Sequence, residues 1–109
     1  MGEVTKKPWG EYEVLHEYDN IKIKELRVNP NSCLSLQRHK YRSEIWMVKS
    51  GAGTVVNNSY AQPLYVGIEP IKIQANSWHQ LINGTQHPLV ITEIQYGEKC
   101  EEDDIERLA

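Results

Sequence analysis

Hydrophobic and polar residues alternate along this chain in short runs, and no stretch holds a convincing helical period. The alternation is strongest over 21–28, 44–48 and 89–96, which read as strands whose side chains point to two faces in turn. Shorter runs at 11–15, 54–56, 64–66, 71–73 and 78–82 read the same way. Turn-forming residues separate them at 19–20, 29–32, 50–53, 57–59, 75–77 and 83–85, about every 8–12 residues. The pattern predicts about eight or nine short strands in an all-β fold, either a sandwich or a closed jelly roll. The acidic stretch 101–108 is expected to form one helical turn or an extended tail.

Two details of the pattern bear on chemistry. Over 21–28 the apolar residues change phase, with Ile21 and Ile23 on one parity and Leu26 and Val28 on the other. That change predicts a bulge near Lys24-Glu25, or a strand that switches its buried face. With Leu26 and Val28 inward, Lys24 points inward too, and an inward ammonium needs a partner or a purpose. The second detail is the stretch 34–51. Gln37 and His39 share one strand face, about 7 Å apart, while Leu34 and Leu36 take the other. Arg42 and Ser43 read as a turn, so a hairpin is expected to bring Glu44 back toward His39.

At 109 residues the chain is expected to be one domain, with a core over about 7–97 and an acidic tail over 98–109. The formal net charge of -3 is unevenly placed, because the tail carries six acids against Lys99 and Arg107. A nearly neutral body without a basic stripe argues against nucleic acid as a partner. No apolar run approaches the ~20 residues that span a bilayer, and the N-terminal stretch is not of signal-peptide type. Cys33 and Cys100 are too few for a disulfide framework and point to a reducing compartment. A cytoplasmic protein with no membrane contact is therefore expected.

Gln37, His39, Glu44 and His79 stand out as a donor set. Two imidazoles, a carboxylate and an amide oxygen suit a divalent first-row metal and are too poor in sulfur for a cluster or a zinc finger. A lone histidine in a sheet is usually just a satisfied polar group. The spacing is what makes this set more specific. Gln37-x-His39-x4-Glu44-x6-Gly51 resembles the first cupin motif, with Gln where a His usually stands, and Gln74-Ala75-Asn76-x2-His79-x3-Asn83 resembles the second. Lys7-Pro8-Trp9-Gly10-x-Tyr12, Leu34-Ser35-Leu36, Arg42-x-Glu44-x-Trp46, Glu93-x-Gln95-x-Gly97 and Glu102-Asp103-Asp104-Ile105-x-Arg107-Leu108 follow in order. Together they resemble the type II mannose-6-phosphate isomerase domain, which in many proteins follows a mannose-1-phosphate guanylyltransferase domain. The resemblance runs over 7–108 and implies no guanylyltransferase activity.

The resemblance implies a cupin-type double-stranded β-helix and interconversion of mannose 6-phosphate and fructose 6-phosphate. It also implies one divalent metal on Gln37, His39, Glu44 and His79, zinc first, with Mn, Fe, Co and Ni compatible. Such an isomerisation moves a proton between C1 and C2, which needs a base and a polarised carbonyl. Lys24 is expected to be that base or a phosphate contact. Arg42, beside Glu44, is expected to bind phosphate or to stabilise the enediolate. Glu93 and Gln95 share one face of the last strand and are expected to line the substrate pocket. The expected partners are a small-molecule sugar phosphate and a second copy of the chain, since small cupins commonly pair through edge strands.

Several positions depart from the family pattern. Lys40, Tyr41 and Ile45 stand where the family has histidines, so metal binding is expected to survive and a proton-transfer role there is not. Asn31 and Asn76 replace turn glycines, and the sequence ends before a D-x-Y-G-R-like tail. A non-catalytic metal-binding cupin for a sugar phosphate or sugar nucleotide is the alternative reading. The Arg-x-Glu-x-Trp and 102–108 matches speak against a small dioxygenase.

Overall fold

The computed structural model of this chain describes residues 2–108, so Met1 and Ala109, the ends of the expected 1–109 unit, lie outside the described residues. Twelve strands follow one another: β1 (Glu3–Lys7), β2 (Gly10–Glu17), β3 (Ile21–Val28), β4 (Ser32–Cys33), β5 (Gln37–Arg38), β6 (Arg42–Ser50), β7 (Ala52–Asn57), β8 (Tyr60–Tyr65), β9 (Ile71–Ile73), β10 (His79–Asn83), β11 (Leu89–Gly97) and β12 (Glu106–Arg107). One sheet runs β1-β2-β3-β11-β6-β9 and the other β12-β5-β10-β7-β8, with β4 also on β10. Among the described residues no helix is long and apolar enough to cross a membrane.

Register explains where the chemistry sits. Across three neighbouring strands of the first sheet, Lys22 pairs with Gln95 and Gln95 with Glu44, while Lys24 pairs with Glu93 and Glu93 with Trp46. The next inward rows are Leu26 with Ile91, then Val28 with Leu89. All of these side chains are buried. One end of the barrel interior is therefore apolar and the other is lined with ionisable groups. Leu26, Val28, Val55, Leu64, Leu81, Leu89 and Ile91 join Trp46, Ile71 and Ile73 in a single core under the polar end.

The all-β expectation holds, and three local expectations change. Residues 21–28 do not switch faces, because Lys22 and Lys24 simply continue the inward row of Leu26 and Val28. The irregularity lies instead on the partner strand, between Val14 and His16 of β2, opposite Lys24 and Ile23. Arg42 and Ser43 are not a turn but the first residues of β6, and no hairpin joins β5 to β6. β5 pairs with β10 and β12 while β6 pairs with β11 and β9, so the chain crosses between sheets at Lys40-Tyr41. His39 thus faces Glu44 across the barrel mouth rather than along a ladder. Of the two forms expected for 101–108, each appears in part: Glu102-Asp103 make a turn in which the Asp104 N–H donates to the Glu101 carbonyl (3.2 Å), and β12 then runs extended and pairs with β5.

Three asparagines take left-handed backbone, Asn31 (φ 53), Asn58 (φ 57) and Asn76 (φ 67), which a short amide side chain tolerates better than most. Gly51 is different. At φ 81, a side chain there would also collide with the Pro88 carbonyl, so the β6–β7 turn requires glycine.

Asn83 closes the far end of β10. Its fully buried amide nitrogen faces the carbonyls of Val28 (3.1 Å), Asn29 (3.1 Å) and His87 (2.8 Å), and its oxygen accepts from the Thr85 amide (3.0 Å) and hydroxyl (2.8 Å). Asn83→Ala leaves several of these groups unsatisfied and is expected to cost about 2–4 kcal/mol, read by urea denaturation. Unchanged stability would show that water replaces the amide.

Candidate functional site

His39 leaves β5 just before the chain crosses to β6, Glu44 is on β6 and His79 opens β10, so three separate elements deliver one donor each. All three side chains are buried, and one donor atom from each lies within 4.8 Å of the others. The Nε2 atoms of His39 and His79 stand 3.3 Å and 3.8 Å from the two Glu44 oxygens. Ligands held about 2.0–2.2 Å from one first-row ion lie roughly 3–3.5 Å apart, so the spacing suits such an ion.

The tautomers suit it as well. His39 Nδ1 donates to the Asp104 carbonyl (2.8 Å) and His79 Nδ1 to the Ser77 carbonyl (3.0 Å), which leaves both Nε2 lone pairs turned toward Glu44. Burial first, then the nearby Arg42 charge, pushes His39 down to about 4, and burial pushes His79 down. Neutral imidazoles beside a buried carboxylate are not salt bridges. They form an electron-rich cluster of the kind that could hold a cation. Gln37 pairs with His79 across β5–β10 and lines the same cavity. Its amide nitrogen reaches the Ser35 carbonyl and hydroxyl, both at 3.3 Å.

Arg42 supplies positive charge at this point. Its Nε donates to Glu44 (3.0 Å), its Nη1 to the Glu101 carbonyl (3.1 Å) and its Nη2 approaches His39 Nε2 at 3.3 Å. The Trp46 indole N–H is shared between Glu44 (3.1 Å) and Glu93 (3.0 Å), tying two buried carboxyl groups together. Gln95 donates to the other Glu93 oxygen (2.8 Å), and its own carbonyl oxygen is buried without a partner among the described residues. Burial, followed by the Glu44 charge, pushes Glu93 up to about 7. Lys24 points inward as expected, with Nζ 2.6 Å from Glu102 and 4.2 Å above the Tyr12 ring.

These groups share a cavity of about 350 Å³ lined by Gln37, Arg42, Glu44, His79, Glu93, Gln95 and Lys24. His39 joins it through Glu44. Lys40, Tyr41 and Ile45 do not line it. Tyr12, Trp46 and the C-terminal stretch escaped the sequence reading as lining residues, and so did Lys22, which does not line the cavity but meets it through Glu102. Glu102, Ile105 and Arg107 line the cavity, and the Asp104 carboxylate accepts from the backbone N–H groups of Lys40 and Tyr41, both at 2.9 Å. The inward lysine parity was the signal available for Lys22, and the matches over Lys7 to Tyr12, Arg42-x-Glu44-x-Trp46 and Glu102 to Leu108 were those for the rest.

Comparison with known proteins places the chain in a family. Residues 2–109 match the family described as mannose-6-phosphate isomerase C-terminal. A mannose-1-phosphate guanylyltransferase of Salmonella muenchen is 36% identical over 102 residues, which is 94% of this chain and 21% of that protein. The alginate biosynthesis protein AlgA of Pseudomonas fluorescens is 38% identical over 101 residues, 93% of this chain and 21% of that protein. The chain thus spans about a fifth of the length of these relatives. Among crystal structures, a sugar phosphate isomerase of the cupin superfamily from Silicibacter pomeroyi superposes with a TM-score of 0.71 at 20% identity, covering 79% of this chain and 58% of that one. The capsular polysaccharide assembling protein CapF of Staphylococcus aureus gives 0.80 at 16% identity, covering 99% of this chain and 34% of that one. These structural likenesses place the fold among the cupin double-stranded β-helices. Matched along nearly its whole length, the chain belongs to the family of mannose-6-phosphate isomerase C-terminal domains.

Proposed function

We propose that this chain is a metal-dependent aldose–ketose isomerase that interconverts mannose 6-phosphate and fructose 6-phosphate. The observation that carries the reading is one cavity holding a cation-demanding cluster, a separate buried carboxyl and inward basic groups. His39, Glu44 and His79, with Gln37, would hold one divalent ion. When bound, the ion supplies Lewis-acid polarisation of the sugar carbonyl and neutralises charge that builds on its oxygen.

The chain's own groups do the rest. Glu93 Oε2, outside the ligand set and fixed by Trp46, takes the proton from C2 of the aldose and returns it to C1 of the ketose. The hydroxyl proton moves from O2 to O1, so the sugar keeps its atoms. The unpartnered Gln95 oxygen accepts a substrate hydroxyl. Arg42 stabilises the enediolate with its planar guanidinium. Lys24, already ion-paired with a carboxylate, contacts phosphate and leaves the base role to Glu93. The cavity walls exclude the side chains of Lys40, Tyr41 and Ile45, so the loss of histidines there removes no group from this scheme.

Protein reconstituted with zinc, manganese, iron, cobalt or nickel and given mannose 6-phosphate is expected to form fructose 6-phosphate. No turnover with any of the five metals would overturn the isomerase. A ligand-induced thermal shift without turnover would then favour the sugar-phosphate-binding cupin.

A further inference from the structure

Lys22 and Lys24 occupy successive inward positions of β3 and are only 6% and 4% exposed. Two ammonium groups this deep need anions, because burying an unpaired charge is prohibitive. Their cross-strand neighbours on β11 do not fully provide them. Gln95, opposite Lys22, is neutral, and Glu93, opposite Lys24, is engaged by Trp46 and Gln95. Glu17 approaches Lys22 at 3.3 Å from the exposed rim. The anion the two lysines share is a single oxygen of Glu102, 3.2 Å from Lys22 and 2.6 Å from Lys24.

Glu102 comes from the C-terminal stretch that crosses the cavity mouth, and its side chain is 49% exposed. It is thus a solvent-accessible anion seated on two buried cations. We propose that Lys22 and Lys24 form the phosphate subsite of the cavity, and that the Glu102 carboxylate occupies it in the free protein as an internal stand-in that the incoming phosphate displaces. The inference rests on the sugar-phosphate reading above and adds the subsite, Lys22 and the occupant.

Three features support the exchange. The two ammonium groups share one Glu102 oxygen, with only the exposed Glu17 beside Lys22, and a phosphate dianion offers several oxygens that can engage both at once. The Lys22–Gln95–Glu44 row puts the lysine end two strand spacings, roughly 9–10 Å, from the metal-binding end, a span that suits a hexose phosphorylated at the carbon remote from its carbonyl. The stretch also has its own anchors. The Glu101 carbonyl accepts from Arg42, and the Asp104 carboxylate caps the Lys40 and Tyr41 amides, so Glu102 can release its lysines while the backbone stays docked. Burial works against the Glu102 charge, yet Lys24 and Lys22 still hold its carboxyl below the ordinary range.

Titration of the full chain with inorganic phosphate tests the proposal without turnover, so a chain that does not isomerise still decides it. Glu102→Gln keeps the shape and removes the competing charge. It is expected to bind phosphate about tenfold more tightly than the parent. Adding Lys22→Met is expected to abolish that gain, and Lys24→Met in the same background serves if the first does not fold. Unphosphorylated mannose should bind the parent and Glu102→Gln equally. Unchanged phosphate affinity in Glu102→Gln, a gain that survives loss of the lysine, or an equal gain for mannose would each overturn the subsite.

Discussion

Glu44→Gln is expected to lower divalent-metal affinity at least about 100-fold and to take isomerase turnover below detection. Glu44 is the junction of the site. One of its oxygens meets Arg42 Nε and His39 Nε2 at 3.0 Å and 3.3 Å, and the other meets Trp46 Nε1 and His79 Nε2 at 3.1 Å and 3.8 Å. An amide keeps the shape but presents hydrogens where a cation must sit, and it carries no charge. The change also leaves the Arg42 guanidinium, 6% exposed, without its carboxylate. Breaking one side of a buried pair costs about 3–5 kcal/mol, whereas removing both sides is often close to neutral. The double variant Arg42→Met/Glu44→Gln should therefore recover much of the lost stability in urea denaturation while metal binding stays lost. Calorimetric titration with zinc separates the two effects. If Glu44→Gln binds zinc as tightly as the parent, the His39–Glu44–His79 cluster is not the ligand set.

Local pattern was a good guide to the strands that carry this site and a poor guide to how they meet. Period-two alternation in β6, β10 and β11 put Glu44 with Trp46, His79 with Leu81, and Glu93 with Gln95 on common faces, and burial follows those faces. Alternation says nothing about which sheet a strand enters. The turn expected at Arg42-Ser43 failed for that reason, since the crossing between sheets lies two residues earlier and needs no glycine or proline. Lys22 disturbed the reading of β3 because an inward lysine mimics a phase change when inward is equated with apolar. Its true partner is Glu102, 80 residues away. The acidic run 101–104 shows the same limit. As sequence it resembles a solvated tail, yet Glu102 seats on two lysines and Asp104 caps a chain crossing 63 and 64 residues away. Pairings at that separation come from topology, which no local window encodes.

Glu93→Gln is expected to make the metal-free protein more stable at neutral pH and the metal-loaded protein much less active. Glu93 lies buried beside Glu44, and the fold holds its carboxyl at about 7 against an ordinary 4.5, burial being the larger cause and the Glu44 charge the second. The sign follows from linkage. A carboxyl whose folded value is raised contributes stability that is fully present below pH 4.5 and is lost as pH rises through 7. Glutamine does not titrate, and with its amide nitrogen in place of Oε2 it donates to Glu44 as the protonated acid does. Its oxygen still accepts from Gln95, and the Trp46 N–H gives up its bond to this side chain but keeps Glu44 as acceptor. The variant should match the parent near pH 4.5 and gain on it progressively to about pH 7, by at most on the order of 3 kcal/mol. Turnover should fall about 10²–10⁴-fold, the usual worth of a positioned acid–base group, because an amide cannot accept the C2 proton. Thermal denaturation at a series of pH values, run beside a mannose 6-phosphate isomerisation assay on the metal-loaded protein, reads both. A stability difference that stays flat from pH 4.5 to 8 would show that Glu93 is not held protonated against Glu44. Turnover within twofold of the parent would pass the base to another group, with Lys24 the next to test.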